Sequence, residues 1–505
     1  LGWFPCYLVS TFAKKIVPVP LNISEQLIHI RQSLSGIVPE IFLALLFCFI
    51  LLAELLFLKK ADVKKSASYL NSIALAGSIL SIVLILLQWN EEPSFRFHPL
   101  LFLDRQAMFF KLLIAFAWLF TLLHVRILRY DFPPEFNALL IAAVAGMNLL
   151  SMSTHFLSIY LSLELISISS YILVALSPYR KAAEGGIKYL LFGSASSAVM
   201  LYGISLVYGL TGTMDITSEM MTVGLTNNPD LVVTVTIVLT LAGLLFKLSL
   251  VPFHVWTPDV YEAAPTPLVS FLSVAPKAAV VLVLMRLAGI LPAQYFPVLG
   301  GIALISITVG NVAALWQSNV RRLLAYSSIA QAGYLLVGIA AYSRFGFESA
   351  VFYTAAYLII NLAAFFLVDL LQPKSETAFS GFEGLGKKSI WISGILTVVM
   401  VALAGLPPTG GFTSKLLVFS ALWESYRQLE FPWMLWLLIG GILNAAIALA
   451  YYMKLPYLLF FKNPGQSRVT ENTDFLGKIV AGLLLAAVLL LFFTPELLTR
   501  WIAAF

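Results

Sequence analysis

Apolar runs of about 20 residues recur from one end of the chain to the other, the length a helix needs to cross a bilayer core. In lipid every backbone polar group needs an internal partner, which leaves helices or closed barrels as the only spanning structures. Continuous apolar runs, without the alternation of a barrel strand, predict helices. We place about 14 spans, at 37–58, 70–90, 107–128, 135–152, 155–177, 186–211, 231–253, 266–290, 296–317, 321–342, 348–371, 390–424, 433–461 and 476–500. The run at 390–424 is too long for one straight helix and is interrupted at Pro407-Pro408 and Gly410-Gly411, so it predicts a broken span. The expectation is an all-α polytopic membrane protein with no soluble domain. Its residues are 60% hydrophobic and 11% charged, with mean hydropathy +0.92, against about 25% charged in a soluble domain.

Several function classes drop out at this level. The net charge of +6 is spread over loops, without the basic clusters and interleaved aromatics of a nucleic-acid surface. Cys6 and Cys48 are too few and too far apart for an iron–sulfur or zinc site. Neither a Gly-x-Gly-x-x-Gly fingerprint nor a Walker loop occurs, so no cofactor or metal is expected in this chain. Residues 1–36 read as an extension of unknown role. Lys14, Lys15, Pro5, Pro18 and Pro20 interrupt any apolar core there and argue against a cleavable signal peptide. Lysine and arginine are more frequent in loops after odd-numbered spans, most clearly at Lys59-Lys60 and Lys64-Lys65. The positive-inside rule then turns both termini away from the cytoplasm.

The charges left inside the spans carry the functional argument. The stretch Leu241 to Ala279 holds Lys247 and Lys277, each within an apolar run. Between them lie His254, Asp259, Glu262 and the prolines 252, 258, 265 and 267. A lysine at mid-bilayer costs about 3 kcal/mol on insertion scales. Snorkelling to the headgroups is the plain alternative. Glu164 sits in the middle of YLSLELISISSYIL, and Tyr160, Glu164, Ser167 and Tyr171 share one helical face. Desolvation disfavours an ammonium and a nearby carboxylate favours it, so a Glu164–Lys247 pair reads as a proton switch that a small movement would throw. Lys188, in GGIKYLLFG, is a candidate competing cation, or an interfacial snorkeller. Pro252 frees backbone carbonyls beside Lys247, and His254 is placed to relay protons there, or to serve as a hydrogen-bonded structural residue. His29, His98, His124 and His155 sit at loops or span ends and carry no such argument, and Asp369 reads as interfacial. Lys277 follows Pro276, and Lys415 follows the second break. Asn311, Tyr326, Ser327, Gln331, Tyr353, Tyr357 and Asn361 lie between them in sequence and suit either a water chain or interhelical hydrogen bonds.

A faint internal repeat accompanies these residues. Leu241-Ala242-Gly243 precedes a lysine and a proline break, and Leu403-Ala404-Gly405 precedes a Pro-Pro/Gly-Gly break and a lysine. Interruptions at corresponding positions of two halves point to an inverted-repeat transporter.

The run PFHVWTPDVYEAAPTP, Pro252 to Pro267, resembles the signature of the antiporter-like membrane subunits of complex I, the proton-pumping NADH:quinone oxidoreductase. That family extends to the large subunits of multisubunit sodium/proton antiporters and membrane-bound hydrogenases. The resemblance implies 14 transmembrane helices with two inverted five-helix repeats, spans 4–8 and 9–13, with spans 7 and 12 broken. It covers the chain from Ile37 onward and goes with a division at 37–134, 135–292, 293–462 and 463–505, from which the 1–36 extension departs, and it implies one proton path through Glu164, Lys188, Lys247, Lys277 and Lys415. Within the family the chain looks most like the N-type branch. The opening IVPEIFLALLF is similar to that branch, Lys415 stands in GGFTSKLLVF where the M-type has glutamate, and the lateral helix of the L-type is missing. NADH, FMN, iron–sulfur clusters and quinone would then belong to partner subunits, with M-type and K-type subunits as neighbours in a bacterial inner membrane. The competing readings are the D-type subunit of a sodium/proton antiporter, which also carries this lysine, and a purely structural scaffold.

Overall fold

The structure, a computed structural model, describes residues 23–55, 63–177, 180–372, 378–463 and 475–503. Residues 1–22 of the expected extension and the Lys59-Lys60 loop lie outside the described residues. The chain enters through α1 (Ile23–Gly36), which bends by 75° into α2 (Val38–Ala53). It continues through α3 (Val63–Leu87), α4 (Arg105–Ile127), α5 (Glu135–Met152), α6 (Phe156–Ala175) and α7 (Arg180–Thr211). The short α8 (Glu219–Asn227) leads into α9 (Asp230–Leu248), α10 (Trp256–Ala263), α11 (Thr266–Ala288), α12 (Phe296–Leu315), α13 (Val320–Ala340) and α14 (Arg344–Leu371). The last part comprises α15 (Ile390–Ala404), α16 (Gly410–Leu429), α17 (Pro432–Phe461), α18 (Phe475–Phe493) and α19 (Glu496–Ala503).

Among the described residues twelve helices are long and apolar enough to cross a membrane, thirteen if the bent α1–α2 pair counts as one, and α15 is a shorter apolar helix. Each of the expected spans holds a helix. One departure from an all-α chain is a small antiparallel hairpin, β1 (Ser94–Arg96) with β2 (Leu101–Leu103). Phe95 and Phe102 face each other across it with ring centroids 4.9 Å apart. Three-residue strands are too short for a period-2 pattern to stand out from the flanking apolar runs, so the hairpin leaves no sequence signal.

Burial is uneven and decides where the site lies. Every residue of α11 is buried, and α13 and α14 are buried along almost their whole length. A helix apolar all round belongs to the centre of a bundle, and these three form that centre, α11 and α13 each packing on α14. By contrast α7, α17 and α18 keep long exposed apolar faces, as lipid-facing helices do. Polar groups carried by α11, α13 and α14 are therefore held inside protein.

Two of the spans are interrupted where lysines sit. The first helix stops at Leu248, and Ser249 adopts a left-handed φ of 63°. The chain resumes as α10 at Trp256. The second stops at Ala404, with Gly405 at φ 84°, and resumes as α16 at Gly410. Gly405 is needed on two counts. Its backbone is left-handed, and an added Cβ would lie 2.6 Å from Lys415 Cδ. At Gly411 an added Cβ would lie 1.8 Å from the Ala402 carbonyl oxygen, so the two halves of the broken span meet backbone to backbone.

Candidate functional site

Lys247 occupies the last turn of α9, only 3% exposed. Its Nζ donates to the Tyr189 hydroxyl at 3.3 Å and stands 5.1 to 5.8 Å from the centroids of Tyr189, Tyr171 and Phe246. This aromatic cage supplies ring faces to a cation. It is closed by Trp256, whose ring stacks on Tyr189 at 4.2 Å and whose Nε1 donates to the Phe246 carbonyl at 3.1 Å. The indole thus satisfies a carbonyl of the last turn before the break, as lipid surroundings require. The Val251 N–H, past the break, donates to Ser306 Oγ. Trp256 lies inside the PFHVW motif, yet sequence reasoning gave it no role. An indole N–H two residues after a break-side histidine was the available signal.

Glu164 is half-buried on α6, and its Oε1 has no hydrogen-bond partner. It is the acid that acts electrostatically on Lys247, but among the described residues no carboxylate oxygen comes within 4 Å of Nζ. Tyr160 and Tyr171 of the predicted stripe stand beside it. The two groups are therefore brought together as neighbours with an unbridged gap.

Lys188 goes elsewhere. It is 40% exposed and pairs with Glu184 at 2.9 Å and Asp259 at 3.0 Å. Arg322 reaches Asp259 and Glu262, and Lys181 also reaches Glu262, so these six residues form one ionic cluster at the end of the bundle. The acids of the 252–267 motif are thus spent on this cluster. His254 is half-buried with Nδ1 unpartnered, and it makes no side-chain hydrogen bond to Lys247 or Glu164.

Among the described residues Lys277 and Lys415 have no acid partner. Lys277 Nζ donates to the Ser328 carbonyl at 2.9 Å and to Ser328 Oγ at 2.6 Å, and Tyr357 also donates to that hydroxyl, at 2.9 Å. Lys415 Nζ donates to the Ala404 carbonyl at 2.7 Å, beneath the Tyr334 ring at 4.7 Å. A helix C-terminus carries partial negative charge on its unpaired carbonyls, and the α15 end supplies that charge to Lys415. From Lys415 a polar line runs back toward Lys277. Gln331 donates to the Leu403 carbonyl and to the Tyr452 hydroxyl, Tyr353 donates to Gln331, and Ser327 bonds Tyr452. Ser327 adjoins Ser328, the partner of Lys277. Asn311 is set apart from this line, bonded to Tyr334, Tyr451 and Asn444. Ser328 and Tyr452 were not singled out in the sequence, although Ser328 stands next to Ser327, which was.

Three buried charged contacts were also missed. Glu40 of α2 pairs with Lys111 of α4 at 2.7 Å, and Asp104 pairs with Arg286 at 3.0 Å. His124 and Asp369, read from sequence as span-end residues, are buried and meet at 3.0 Å. The first turn of α18 packs on this end of α14, with Gly477 against Leu370 and Ile127, which buries what position in the span alone would leave at the surface. Lys111, in AMFFKLLIAF, carried the same signal as Lys247, a lysine within an apolar run.

Comparison with known proteins adds to this geometry. Residues 153–443 match the family described as NADH:quinone oxidoreductase/Mrp antiporter, transmembrane. The NADH-quinone oxidoreductase subunit N 2 of Chloroherpeton thalassium is 36% identical over 501 residues, covering 95% of this chain and 96% of that one. The NAD(P)H-quinone oxidoreductase subunit 2 of a Synechococcus species is 36% identical, covering 88% and 85%. Among solved structures, a chain of respiratory complex I from Thermus thermophilus with bound aureothin superposes with TM-score 0.78 at 28% identity, over 92% of this chain and 99% of that one. A chain of the Mrp complex from Dietzia shares the fold, with TM-score 0.75 at 17% identity over 93% and 97%. With most of its length matched in this way, the chain belongs to the family of antiporter-like membrane subunits of NADH:quinone oxidoreductase, in its N-type branch.

Proposed function

We propose that this chain is the N-type, proton-translocating and non-redox membrane subunit of a complex I, converting energy released by quinone reduction elsewhere into proton movement across a bilayer. The observation that carries the reading is the row of buried polar groups between Lys277 and Lys415, hydrogen-bonded from Ser327 through Tyr452 and Gln331 to the Leu403 carbonyl, with both lysines buried and without an acid partner among the described residues. Buried ammoniums without counter-ions are costly. Their retention is accounted for if they gain and lose protons in turn.

In this mechanism Glu164 and Lys247 are the input. The gap between them lets Glu164 move toward or away from the caged amine, and the carboxylate favours its charged form when near. Lys277 takes the proton on, and Lys415 releases or reloads it at the far half. His254 serves as a side branch for proton exchange at the break. Lys188 acts indirectly, through the ionic cluster that holds α7 to α10 and α13. NADH, FMN, iron–sulfur clusters and quinone are held by partner subunits, among them M-type and K-type neighbours along the membrane arm. The membrane is a bacterial inner membrane, with both termini on its non-cytoplasmic side and the chain organised as two inverted repeats. The D-type antiporter reading has the shared fold in its favour, but the relatives of about 36% identity are quinone oxidoreductase subunits.

The test is Lys247→Ala and Glu164→Gln in the purified complex reconstituted into vesicles. Assembly is retained and coupled turnover falls roughly tenfold or more, in the range of a lost acid–base group. Wild-type proton yield and turnover in the assembled Lys247→Ala complex would leave only the scaffold reading. Sodium-dependent transport, without copurifying flavin and iron–sulfur subunits, would favour the D-type one.

A further inference from the structure

One buried polar cluster is not used by the mechanism above. His124 of α4 and Asp369 of α14 are both almost fully buried, with Nε2 and Oδ2 3.0 Å apart. Tyr130 donates to the same carboxylate, 2.9 and 2.8 Å from its two oxygens. Burial first, and then the adjacent Asp369 charge, push the Tyr130 phenol up, so it remains a donor. Phe120 and Phe366 pack edge-on against the imidazole. Beyond Asp369, Arg321 acts electrostatically on Tyr130 and donates to the Ala264 carbonyl. The cluster therefore lies at the end of the bundle that carries the ionic cluster of Asp259, Glu262 and Arg322.

The surroundings of this cluster are aligned with Lys277. Tyr130 lies against Thr266, the first residue of α11. Thr266, Ser270, Ser273 and Lys277 follow at spacings of 4, 3 and 4, one face of the helix. On α14, Asn361 stands two turns before Asp369, about 12 Å away, and donates to Ser273 Oγ at 2.6 Å. Along this seam three buried polar atoms have no hydrogen-bond partner among the described residues: His124 Nδ1, Ser270 Oγ and Asn361 Oδ1. Buried polar atoms in native proteins are nearly always paired, with protein or with water. Three in one seam that ends at a buried lysine mark a path for water.

We propose that His124, Asp369 and Tyr130 form a proton-collecting site that feeds Lys277 along the polar seam between α11 and α14. The inference rests on the proton-translocating reading and adds to it an entry for Lys277 that does not pass through Lys247. Asp369 holds the imidazole N–H at Nε2, because a carboxylate only accepts, and this leaves Nδ1 as the site that gains and loses the proton. A proton taken at Nδ1 gives an imidazolium paired with the Asp369 carboxylate. Its loss to the seam restores the neutral ring and converts the Lys277 amine to the ammonium. A mere clamp between α4 and α14 would account for the three clustered side chains. It gives no reason for the unpartnered Ser270 hydroxyl and Asn361 Oδ1.

The experiment uses the whole complex in vesicles, reading NADH:quinone turnover and protons moved per NADH. The seam variant Ser270→Ala removes a hydroxyl whose oxygen has no hydrogen-bond partner among the described residues, so assembly and thermal midpoint are expected to stay unchanged while coupled turnover falls several-fold. Asp369→Asn is expected to lower turnover roughly tenfold or more, and Asp369→Glu to recover most of it. Wild-type turnover and proton yield in the seam variant overturn the inference, and so do equal losses in Asp369→Asn and Asp369→Glu. If Asp369→Asn does not assemble, the seam variant decides. Lys247→Ala is measured alongside. If it alone is impaired, this entry path is wrong, and if it too is wild-type, the translocation reading itself falls.

Discussion

Lys111→Met isolates the energetics of a buried charge in this fold. Lys111 is fully buried, Glu40 is 5% exposed, and their charged atoms are 2.7 Å apart. The lysine also contacts Met152 Sδ, and the second carboxylate oxygen of Glu40 has no partner. Methionine keeps the straight chain and removes the ammonium, which leaves a buried carboxylate with nothing to offset it. Breaking a buried pair from one side costs about 3–5 kcal/mol, and 1.4 kcal/mol is a factor of ten, so the folded population drops roughly a hundredfold to a thousandfold or more. Glu40→Leu alone should cost about the same, because it strands the ammonium. The double variant Glu40→Leu/Lys111→Met should be near neutral, since a hydrophobic replacement of a whole buried pair often is. With each single change costing about 3–5 kcal/mol and the double change near zero, the cycle predicts a coupling energy of about 6–10 kcal/mol between two residues in contact. Thermal denaturation of the purified complex, with the retained fraction of this subunit as readout, measures it. A Lys111→Met complex as stable as wild type would refute the reasoning, as would a double variant no better than the singles.

Three further outcomes follow from particular contacts. Gly405→Ala places a Cβ 2.6 Å from Lys415 Cδ on a left-handed backbone, which costs about 1–2 kcal/mol and should lift Lys415 off the Ala404 carbonyl. Coupled turnover then falls more than assembly does, and a wild-type proton yield in vesicles would count against the role given to Lys415. Trp256→Phe keeps the stack on Tyr189 and deletes one of two bonds to the Phe246 carbonyl, which still accepts from the Ser249 N–H at 3.0 Å, a loss of about 0.5–1.5 kcal/mol. A slightly lowered thermal midpoint checks this, and an unchanged one would mean that the indole N–H adds nothing there. Ser328→Ala removes the hydroxyl shared by Lys277 and Tyr357 but leaves the backbone carbonyl at 2.9 Å. Turnover should fall, yet less than in a Lys277→Ala complex, and the reverse order would place the path away from Ser328.

Much of this molecule was legible in one dimension because its strongest constraints are local. A run of about 20 apolar residues has to be a helix in lipid, whatever its neighbours are, and the helices stand where the runs stand. The two interruptions were legible for the same reason: Pro252 in the first, and Pro407-Pro408 with Gly410-Gly411 in the second, act on the backbone within a turn of themselves. Lys247, Lys277 and Lys415 announced themselves as charges in apolar surroundings, and all three are buried.

What tertiary structure alone decided was the choice of partners. Glu164 and Lys247 are neighbours without a direct bond, Lys188 pairs with Asp259 through α10, and His124 meets Asp369 across 245 residues of chain. A side chain's charge is written in its own letter, but the group that offsets it is set by which helix faces touch. Helix faces in a bilayer are chosen by close packing and by satisfaction of polar groups, not by a hydrophobic pattern that every span shares.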